Sequence, residues 1–331
     1  MSQFKVVITD FGAPDNDIEA AELQASGLDI ELVRLNARSV EELFPTVADA
    51  DALIVGFASI NRQVIERLTR CRVISRYGIG VDMIDLQAAS ERGIMVANVP
   101  DYCIEEVSTN TLAFLLCLNR HVIGQDRHVH AGRWGYPPQE PWPVRLSKQV
   151  LGLVGLGNIG REVARKARAF GLRVQAYDPF VRSEQAAALG ISLVGLEELL
   201  RTSDYVSLHC PLTAETRHLI GAAQLAMMKP TAYLINMARG PVVDQAALTQ
   251  ALTNHTIAGA ALDVLEKEPP DPDDPLLRLS NVILSPHSAS VSDEATRQLR
   301  QETARNVVVA LQGKIPRSVV NAKALGLSQG S

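Results

Sequence analysis

The sequence predicts an α/β protein built from two doubly wound domains, each based on a parallel β-sheet. Two observations lead to this prediction. Short apolar runs typical of buried strands alternate with segments of helical periodicity along nearly the whole chain. A glycine-rich turn, GLGNIG at residues 155–160, follows one of these runs and opens a predicted helix. A chain of 331 residues is also long enough for two domains.

The first part of the chain contains four predicted strands. They cover residues 4–9, 51–55, 72–75 and 94–98, and helical spacing is seen between them at residues 15–26, 61–70 and 82–92. This βα alternation predicts a parallel sheet with helices on both faces. Because no phosphate-binding glycine motif follows its first strand, the region is predicted to be the substrate-binding domain.

The middle of the chain is predicted to be one long helix followed by a long loop. The helix is expected from about Ile104 to Ile123, and residues 126–147 form a polar, proline- and aromatic-rich stretch that contains Trp134 and Trp142. Loops of this length in a compact chain usually serve binding or form interfaces. The segment from Ile104 to Trp142 is therefore predicted to form a two-fold dimer interface, with an apolar helix face of Leu112, Leu115, Leu116 and Leu118. The competing interpretation is that the helix packs within its own domain and that the loop covers the substrate.

A second βα series begins at residue 149. Its six predicted strands cover residues 149–154, 173–177, 205–208, 232–236, 259–264 and 282–284. Six strands in this rhythm match a dinucleotide-binding, Rossmann-like fold. A last helix, about residues 294–312, is predicted to return to the first domain. The predicted domains are a discontinuous substrate-binding domain (1–99 and 288–331) and a nucleotide-binding domain (100–287).

The glycine-rich turn predicts a dinucleotide site. The predicted contacts are Gly155, Gly157, Asn158, Ile159, Gly160 and Asp178. The first glycine allows the turn, the second lets the backbone approach the pyrophosphate, and the third lets helix and strand pack closely. Asp178 ends the next strand, where its carboxylate would accept hydrogen bonds from the ribose hydroxyls and favour NAD over NADP. The alternative is a glycine turn in an α/β fold that binds no nucleotide.

Three polar residues follow predicted strands of the second series and suggest a catalytic site. Arg239, Glu268 and His287 would all lie at the carboxyl edge of a parallel sheet, where such folds bind ligands. Hydride transfer between a 2-hydroxy acid and a nicotinamide needs a base for the hydroxyl proton, and histidine suits that role. A carboxylate would orient the imidazole, and an arginine would hold the substrate carboxylate. Each residue also has a simpler interpretation, as a surface arginine, a solvated charge run or a structural histidine.

These residues, with the motifs around them, resemble the D-isomer-specific 2-hydroxyacid dehydrogenase family. The matching stretches are GLGNIG at 155–160, HCPLT at 209–213, MKP at 228–230, NMARG at 236–240, ALDV at 261–264, EP at 268–269 and SPH at 285–287. The resemblance implies NAD as cofactor, Arg239, Glu268 and His287 as catalytic residues, two Rossmann-like domains with the active-site cleft between them, and a homodimer.

The resemblance also implies roles for further residues. It implies nicotinamide-side contacts by Thr111 and Asp263, adenosine- and ribose-side contacts by Cys210, Thr216, Met237 and Ala238, and a substrate carboxylate site at the N–H groups of Ile79 and Gly80 beside Arg76. Residues 76–80 and 99–107 are most similar to the C-terminal-binding-protein-like and phosphoglycerate-dehydrogenase-like branch. Ser290 stands where the animal corepressors of that branch carry a tryptophan, and Glu268 differs from the glutamine of formate dehydrogenases.

The composition of the chain limits the classes of molecule that it is expected to bind. A net charge of −5 predicts no nucleic-acid partner, and the most apolar stretch, residues 112–118, is too short to span a bilayer. Four widely spaced cysteines and the lack of a secretory leader predict a cytoplasmic protein. No metal site is predicted, since His121, His128 and His130 lack further ligands at zinc spacing. The sequence therefore favours a dehydrogenase acting on a small 2-hydroxy or 2-keto acid. The alternatives are an NAD-sensing, partner-binding protein with little turnover and, less favoured, an NAD-dependent hydrolase of thioether nucleosides.

Overall fold

The computed structural model describes residues 3–10, 15–135 and 142–327. The chain divides into two compact units: unit 1 comprises Met1–Tyr102 and Ser292–Ser331, and unit 2 comprises Cys103–Val291. The unit limits lie a few residues from the domain limits expected at 99/100 and 287/288.

Unit 1 contains a five-stranded parallel sheet in the order β2-β1-β3-β4-β5. Its strands are β1 (Phe4–Ile8), β2 (Ile30–Arg34), β3 (Ala52–Val55), β4 (Val73–Arg76) and β5 (Met95–Ala97). Its helices are α1 (Asp17–Ala25), α2 (Val40–Val47), α3 (Arg62–Ile65), α4 (Leu86–Glu91) and the last helix of the chain, α12 (Asp293–Leu311). The central strands β3 and β4 are buried along their whole length, which accounts for their apolar runs.

Two elements of unit 1 escaped the sequence analysis. Strand β2 lies at the sheet edge and is only partly buried, so its sequence lacks the continuous apolar run of a central strand. Helix α2 contains Pro45, a residue that normally argues against a helix interior.

A buried charge cluster joins α1 to α12 in unit 1. The Glu19 carboxylate is fully buried and accepts hydrogen bonds from Nε (2.8 Å) and Nη2 (2.6 Å) of Arg300. The buried Tyr77 hydroxyl donates to the same carboxylate at 2.9 Å. Tyr77 directly follows β4, so the cluster fixes the start of the segment that contains Ile79 and Gly80.

Replacement of Arg300 by methionine is expected to destabilise the protein strongly. The change leaves the Glu19 charge buried without its main partner, which typically costs about 3–5 kcal/mol. Arg305→Met is the matched control, because Arg305 pairs with Glu22 between the same two helices at an exposed position and should cost less than about 1 kcal/mol. Urea unfolding followed by circular dichroism measures both, and equal midpoints for the two variants would contradict the assignment.

Unit 2 contains a seven-stranded parallel sheet in the order β12-β11-β10-β9-β6-β7-β8. Its strands are β6 (Val150–Val154), β7 (Arg173–Tyr177), β8 (Ser192–Leu193), β9 (Tyr205–Leu208), β10 (Tyr233–Asn236), β11 (Gly259–Leu262) and β12 (Val282–Leu284). Its helices are α5 (Ile104–Arg120), α6 (Val122–His130), α7 (Asn158–Ala169), α8 (Ser183–Ala188), α9 (Leu196–Thr202), α10 (Ala222–Met227) and α11 (Gln245–Thr253). The six predicted strands are all present. The two-residue edge strand β8 was missed because it is too short to give a periodic signal.

The predicted single helix 104–123 is wrong. Helix α5 ends at Arg120, His121 adopts a left-handed conformation with φ of 52°, and α6 begins at Val122. The N–H of His121 bonds to the carbonyls of Cys117 and Leu118, which closes the end of α5. Part of the predicted loop 126–147 is therefore helical, and its residues 136–141 lie outside the described residues.

The apolar face of α5 was assigned to a dimer interface, and this assignment is also wrong. Leu112, Leu115 and Leu118 are buried within the chain itself. Helix α5 packs against α7, β10 and β11 of its own unit, so these three leucines belong to the core of unit 2, whereas Leu116 is only partly buried. Within the described residues, no helix is both long and apolar enough to cross a membrane.

Candidate active site

The predicted site residues of unit 2 follow strands that all run in the same direction. The glycine-rich turn follows β6, Asp178 follows β7, Cys210 follows β9, Arg239 follows β10, Asp263 and Glu268 follow β11, and His287 follows β12. Strand order reverses between β6 and β9, where parallel sheets of this kind open a crevice for ligands.

The three glycines of the turn differ in their surroundings. Gly155 has a φ of 97°, and a Cβ there would lie 2.8 Å from the Cys210 nitrogen. A Cβ at Gly160 would lie 2.3 Å from the Gly155 carbonyl oxygen, so helix and turn can approach only without a side chain. A Cβ at Gly157 would meet nothing within 4 Å. The turn is thus closed on the protein side and open at Gly157, as a bound pyrophosphate requires.

Helix α7 begins directly after this turn with no side chain capping its N-terminus. The first N–H groups of a helix have no partner within it, so those of Asn158 and Ile159 suit a phosphate. Asp178 lies beside the turn, because its carboxylate accepts hydrogen bonds from the N–H groups of Leu156 (2.8 Å) and Phe180 (2.9 Å). These bonds leave further lone pairs on both oxygens for ribose hydroxyls.

The other predicted cofactor contacts occupy varied positions in unit 2. The Thr216 hydroxyl donates to the Pro211 carbonyl at 2.6 Å and orders the turn after β9. Met237 and Ala238 form a mostly buried turn after β10. Thr111 is buried on α5, where its hydroxyl donates to the Val107 carbonyl. Burial raises the pKa of the Cys210 thiol to about 11, so this cysteine is not an activated thiolate.

Glu268 and His287 form a hydrogen-bonded pair. Nδ1 of His287 lies 2.7 Å from Oε2 of Glu268, and Oε1 accepts the N–H of Leu265 at 2.8 Å. Partial burial by itself raises the pKa of Glu268, but the bonds from His287 and Leu265 and the charge of Arg239 outweigh it, so the pKa lies below its ordinary value. Glu268 is therefore a carboxylate near neutral pH, within the electrostatic reach of Arg239.

The turn that carries His287 is held by Asp263. The Asp263 carboxylate is buried and accepts hydrogen bonds from the Ser285 hydroxyl and from the N–H groups of Ser288 (2.9 Å) and Ala289 (3.1 and 3.2 Å). His287 itself has a φ of 52°, and its N–H bonds to the Asp263 carbonyl at 2.8 Å. A histidine in the left-handed region is uncommon and is maintained here by this surrounding network.

Arg239 lies in a turn held by Asn236. The Asn236 side chain accepts the Ala238 N–H and donates to the Arg239 carbonyl, both at 3.0 Å. A Cβ at Gly240 would lie 1.8 Å from the Leu265 carbonyl oxygen, so this turn packs directly on the loop leading to Glu268. The sequence analysis missed Asn236, although a polar residue ending an apolar strand was a usable signal.

The predicted substrate residues lie in unit 1. Within the described residues, the N–H groups of Ile79 and Gly80 make no backbone or side-chain hydrogen bond, while the Ile79 carbonyl accepts the Asn98 amide at 2.7 Å. The Arg76 side chain is buried beside Gly78. Two adjacent N–H groups near an arginine form an arrangement suited to a carboxylate.

Asp10 is a further residue that the sequence analysis missed. Its buried carboxylate accepts the N–H groups of Gly56 (3.1 Å), Phe57 (2.5 Å) and Ala58 (3.1 Å) and so orders the loop after β3. No group of three or more histidine, cysteine, aspartate or glutamate residues in the described part of the chain is arranged to hold a metal ion.

Comparison with known proteins decides the family. Residues 112–289 match the sequence model of the D-isomer specific 2-hydroxyacid dehydrogenase NAD-binding domain. The chain belongs to the D-isomer specific 2-hydroxyacid dehydrogenase family. The predicted family, the α/β fold class of two parallel-sheet domains, and NAD as cofactor are thereby confirmed.

Relatives within this family differ in their named substrates. The chain is 43% identical over 286 residues to a glyoxylate reductase of Korarchaeum cryptofilum, covering 86% of each protein. It is 40% identical to a D-3-phosphoglycerate dehydrogenase of Methanocaldococcus jannaschii, covering 85% of this chain and 53% of that protein. A D-lactate dehydrogenase from Aquifex aeolicus, solved with NAD and lactic acid, superposes with a TM-score of 0.86 at 29% identity, covering 96% of this chain and 99% of that one. Membership of this family establishes that the protein is an NAD-dependent dehydrogenase.

Proposed function

We propose that this protein interconverts a small D-2-hydroxy acid and its 2-keto acid, with His287 as the acid and base. The observation that carries the proposal is the bond between His287 Nδ1 and Glu268 Oε2 at the carboxyl edge of the sheet, beside Arg239. A histidine, a carboxylate and an arginine at that edge match the needs of hydride transfer to a carbonyl carbon.

His287 exchanges the proton. Because Nδ1 is bonded to Glu268, Nε2 is the nitrogen that would donate a proton to the keto oxygen of the substrate. The ionised Glu268 carboxylate stabilises the imidazolium form of His287 from which this proton comes. The bound nicotinamide supplies or accepts the hydride. In the oxidation direction the same imidazole, neutral, removes the proton of the substrate hydroxyl.

Arg239 in unit 2 and residues 76–80 in unit 1 are each proposed, separately, to bind an anionic group of the substrate. The Arg239 guanidinium would hold the substrate carboxylate or polarise its carbonyl through charge-assisted hydrogen bonds. The adjacent N–H groups of Ile79 and Gly80, with Arg76 beside them, would receive the carboxylate oxygens. The substrate class is therefore a small anionic 2-oxo acid.

A turnover screen tests this proposal. The protein is mixed with NADH and one 2-keto acid at a time, and absorbance at 340 nm is followed. The acids are glyoxylate, pyruvate, hydroxypyruvate and phosphohydroxypyruvate, so that both unphosphorylated and phosphorylated substrates are tested. At least one should be reduced, and chiral chromatography of any chiral product should give the D isomer. NADH binding without reduction of any 2-keto acid would favour the NAD-sensing alternative.

Asp178 should set the choice of cofactor. Its carboxylate can pair with ribose hydroxyls but opposes a 2′-phosphate, so NADH should be preferred over NADPH by at least about tenfold in kcat/KM, or about 1.4 kcal/mol. Asp178→Ser should lose most of this preference. Equal kcat/KM for the two cofactors in the unaltered protein would refute the role of Asp178.

We infer that the protein is a homodimer in which α6, rather than α5, contributes the interface. Helix α6 has no buried residue, and it carries the exposed Val122 and Val129. Further exposed apolar side chains follow it along the chain at Trp134, Trp142 and Val144. Exposed aromatic and aliphatic side chains of this kind are enriched in interfaces. The four cysteines are free thiols, which supports a reducing, cytoplasmic location.

Light scattering tests the dimer. The protein should show twice the 35.9 kDa mass of one chain. Val129→Asp should produce monomers, whereas Val291→Asp, at a similarly exposed valine outside this region, should not. A monomer mass for the unaltered protein at micromolar concentration would refute the proposal.

A further inference from the structure

A second histidine–carboxylate pair lies next to the loop that carries Glu268. Nε2 of His218 is 2.5 Å from Oε1 of Glu266, and both side chains are partly exposed. Nothing in the chemistry assigned to Arg239, Glu268 and His287 uses this pair. Glu266 is nevertheless only two residues from Glu268 along the chain.

Glu266 is fixed from two sides. Its N–H donates to the Gln245 side-chain oxygen at 2.9 Å, and Oε2 accepts the Gln245 N–H at 3.3 Å. Gln245 is the first residue of α11, so these bonds tie the loop to the helix start. The bond from His218 to Oε1 is the third attachment of this one residue.

His218 is itself held against the turn that follows Arg239. Its N–H donates to the Pro241 carbonyl at 2.8 Å, and the Ile220 N–H donates to the Val242 carbonyl at 3.1 Å. His218 adopts a φ of 52°, which its bond to Pro241 and its side-chain bond to Glu266 help to maintain. His218 thus connects the backbone after Arg239 to the loop before Glu268.

The loop and the turn also touch directly. Gly240 packs against the peptide between Leu265 and Glu266, where a Cβ would lie 2.4 Å from the Glu266 nitrogen. The Leu265 N–H in turn donates to Glu268 Oε1. A displacement of Glu266 would therefore be transmitted to the Glu268 carboxylate, and through it to the imidazole of His287.

We propose that His218, through its hydrogen bond to Glu266, is a positioning residue that fixes the Glu268 carboxylate relative to Arg239 and His287. This inference rests on the proposed function for its kinetic readout but not for its structural one. The effect should appear in kcat rather than in NADH binding, because His218 acts on the acid–base pair and not on the dinucleotide turn. Small misplacements of catalytic groups cost rate far more than they cost stability.

The test compares His218→Asn with His255→Asn. Asparagine tolerates the left-handed conformation but cannot reach Glu266, and His255 is an exposed histidine with a φ of 53° in the same unit. His218→Asn should lower kcat about tenfold with little change in the Kd for NADH, and His255→Asn should lower neither. Glu266→Ala removes the bond from the Gln245 N–H as well, so it should lower kcat at least as much as His218→Asn, whereas Glu266→Gln, which keeps an oxygen acceptor, should retain most of the activity.

A double-mutant cycle separates positioning from general damage. In a Glu268→Ala background, His218→Asn should cost no more than about twofold further, because the group that it positions is already gone. An undiminished tenfold loss in that background would overturn the proposal.

Hydrogen exchange of the Leu265 and Glu266 amides supplies a readout that needs no turnover. Both amides donate to side chains of this network, so both should exchange faster in His218→Asn and not in His255→Asn. If these rates and kcat are unchanged, the proposal is wrong. If the rates rise but the unaltered protein reduces no keto acid, the positioning role stands and the proposed function fails.

Discussion

Arg239→Ala is expected to retain NADH binding and to lose most keto-acid turnover. The guanidinium is assigned to the substrate, and removing its charge-assisted contacts should cost about 3 kcal/mol or more in kcat/KM. The substitution removes the bond from Arg239 Nη1 to the Ala238 carbonyl, but the two bonds of the Asn236 side chain to this turn remain, so the turn should survive. Fluorescence titration with NADH and steady-state kinetics measure the two quantities.

Two variants serve as controls for Arg239→Ala. Arg278→Ala removes an exposed arginine of the same unit that pairs with Asp273, and it should leave kcat/KM unchanged. Arg239→Lys keeps the positive charge but loses the planar fork, so it should recover only part of the activity. Loss of NADH affinity with an unchanged substrate KM in Arg239→Ala would show that the arginine serves the cofactor instead.

His287→Ala is expected to have the other largest effect. General acid–base groups typically contribute about 10²–10⁴-fold to the rate, and the alanine variant should lose an amount in that range. Glu268→Gln keeps the size of the side chain and one hydrogen-bonding oxygen but loses the charge, so it should lose less than His287→Ala. Equal losses, or a greater loss in Glu268→Gln, would contradict the assigned roles.

The Glu268→Gln variant should also shift the pH dependence of kcat/KM in a defined direction. The pKa of Glu268 is lowered, so the carboxylate and its stabilisation of the imidazolium persist near neutrality and are lost only as pH falls through that lowered pKa. Reduction needs the imidazolium. Without the carboxylate charge, the alkaline limb of kcat/KM for reduction should move to lower pH, and oxidation should gain over the same range. Unmoved profiles in both directions would mean that Glu268 is only part of a solvated loop.

Much of the fold could be predicted because its central strands are buried on both faces. Runs such as those in β3, β6 and β10 are apolar for that reason, and every strand predicted from such a run is present. The glycine-rich turn was equally readable, since the positive φ of Gly155 and the close approach at Gly160 each demand glycine. Family resemblance then connected these local signals to a reaction.

The features that could not be predicted arise from contacts between residues far apart in the sequence or from unusual backbone conformations. The break at His121 arises from a left-handed conformation that histidine rarely adopts, so nothing in the local pattern indicated it. The leucines of α5 looked like an interface because their covering helix, α7, lies far along the chain. Likewise, Asp263 was assigned a cofactor contact by resemblance, while its bonds to residues 285–289 became visible only in the fold.

Transfer of deuterium tests the central claim most directly. The protein is incubated with its best 2-keto acid and NADH deuterated at the transferable C4 position, and the product is analysed by mass spectrometry and NMR. Direct hydride transfer predicts a 2-hydroxy acid with one deuterium at C2 for each NADH consumed, and loss of this product in His287→Ala. A product without deuterium at C2, or oxidation of NADH without any 2-hydroxy acid, would contradict the account.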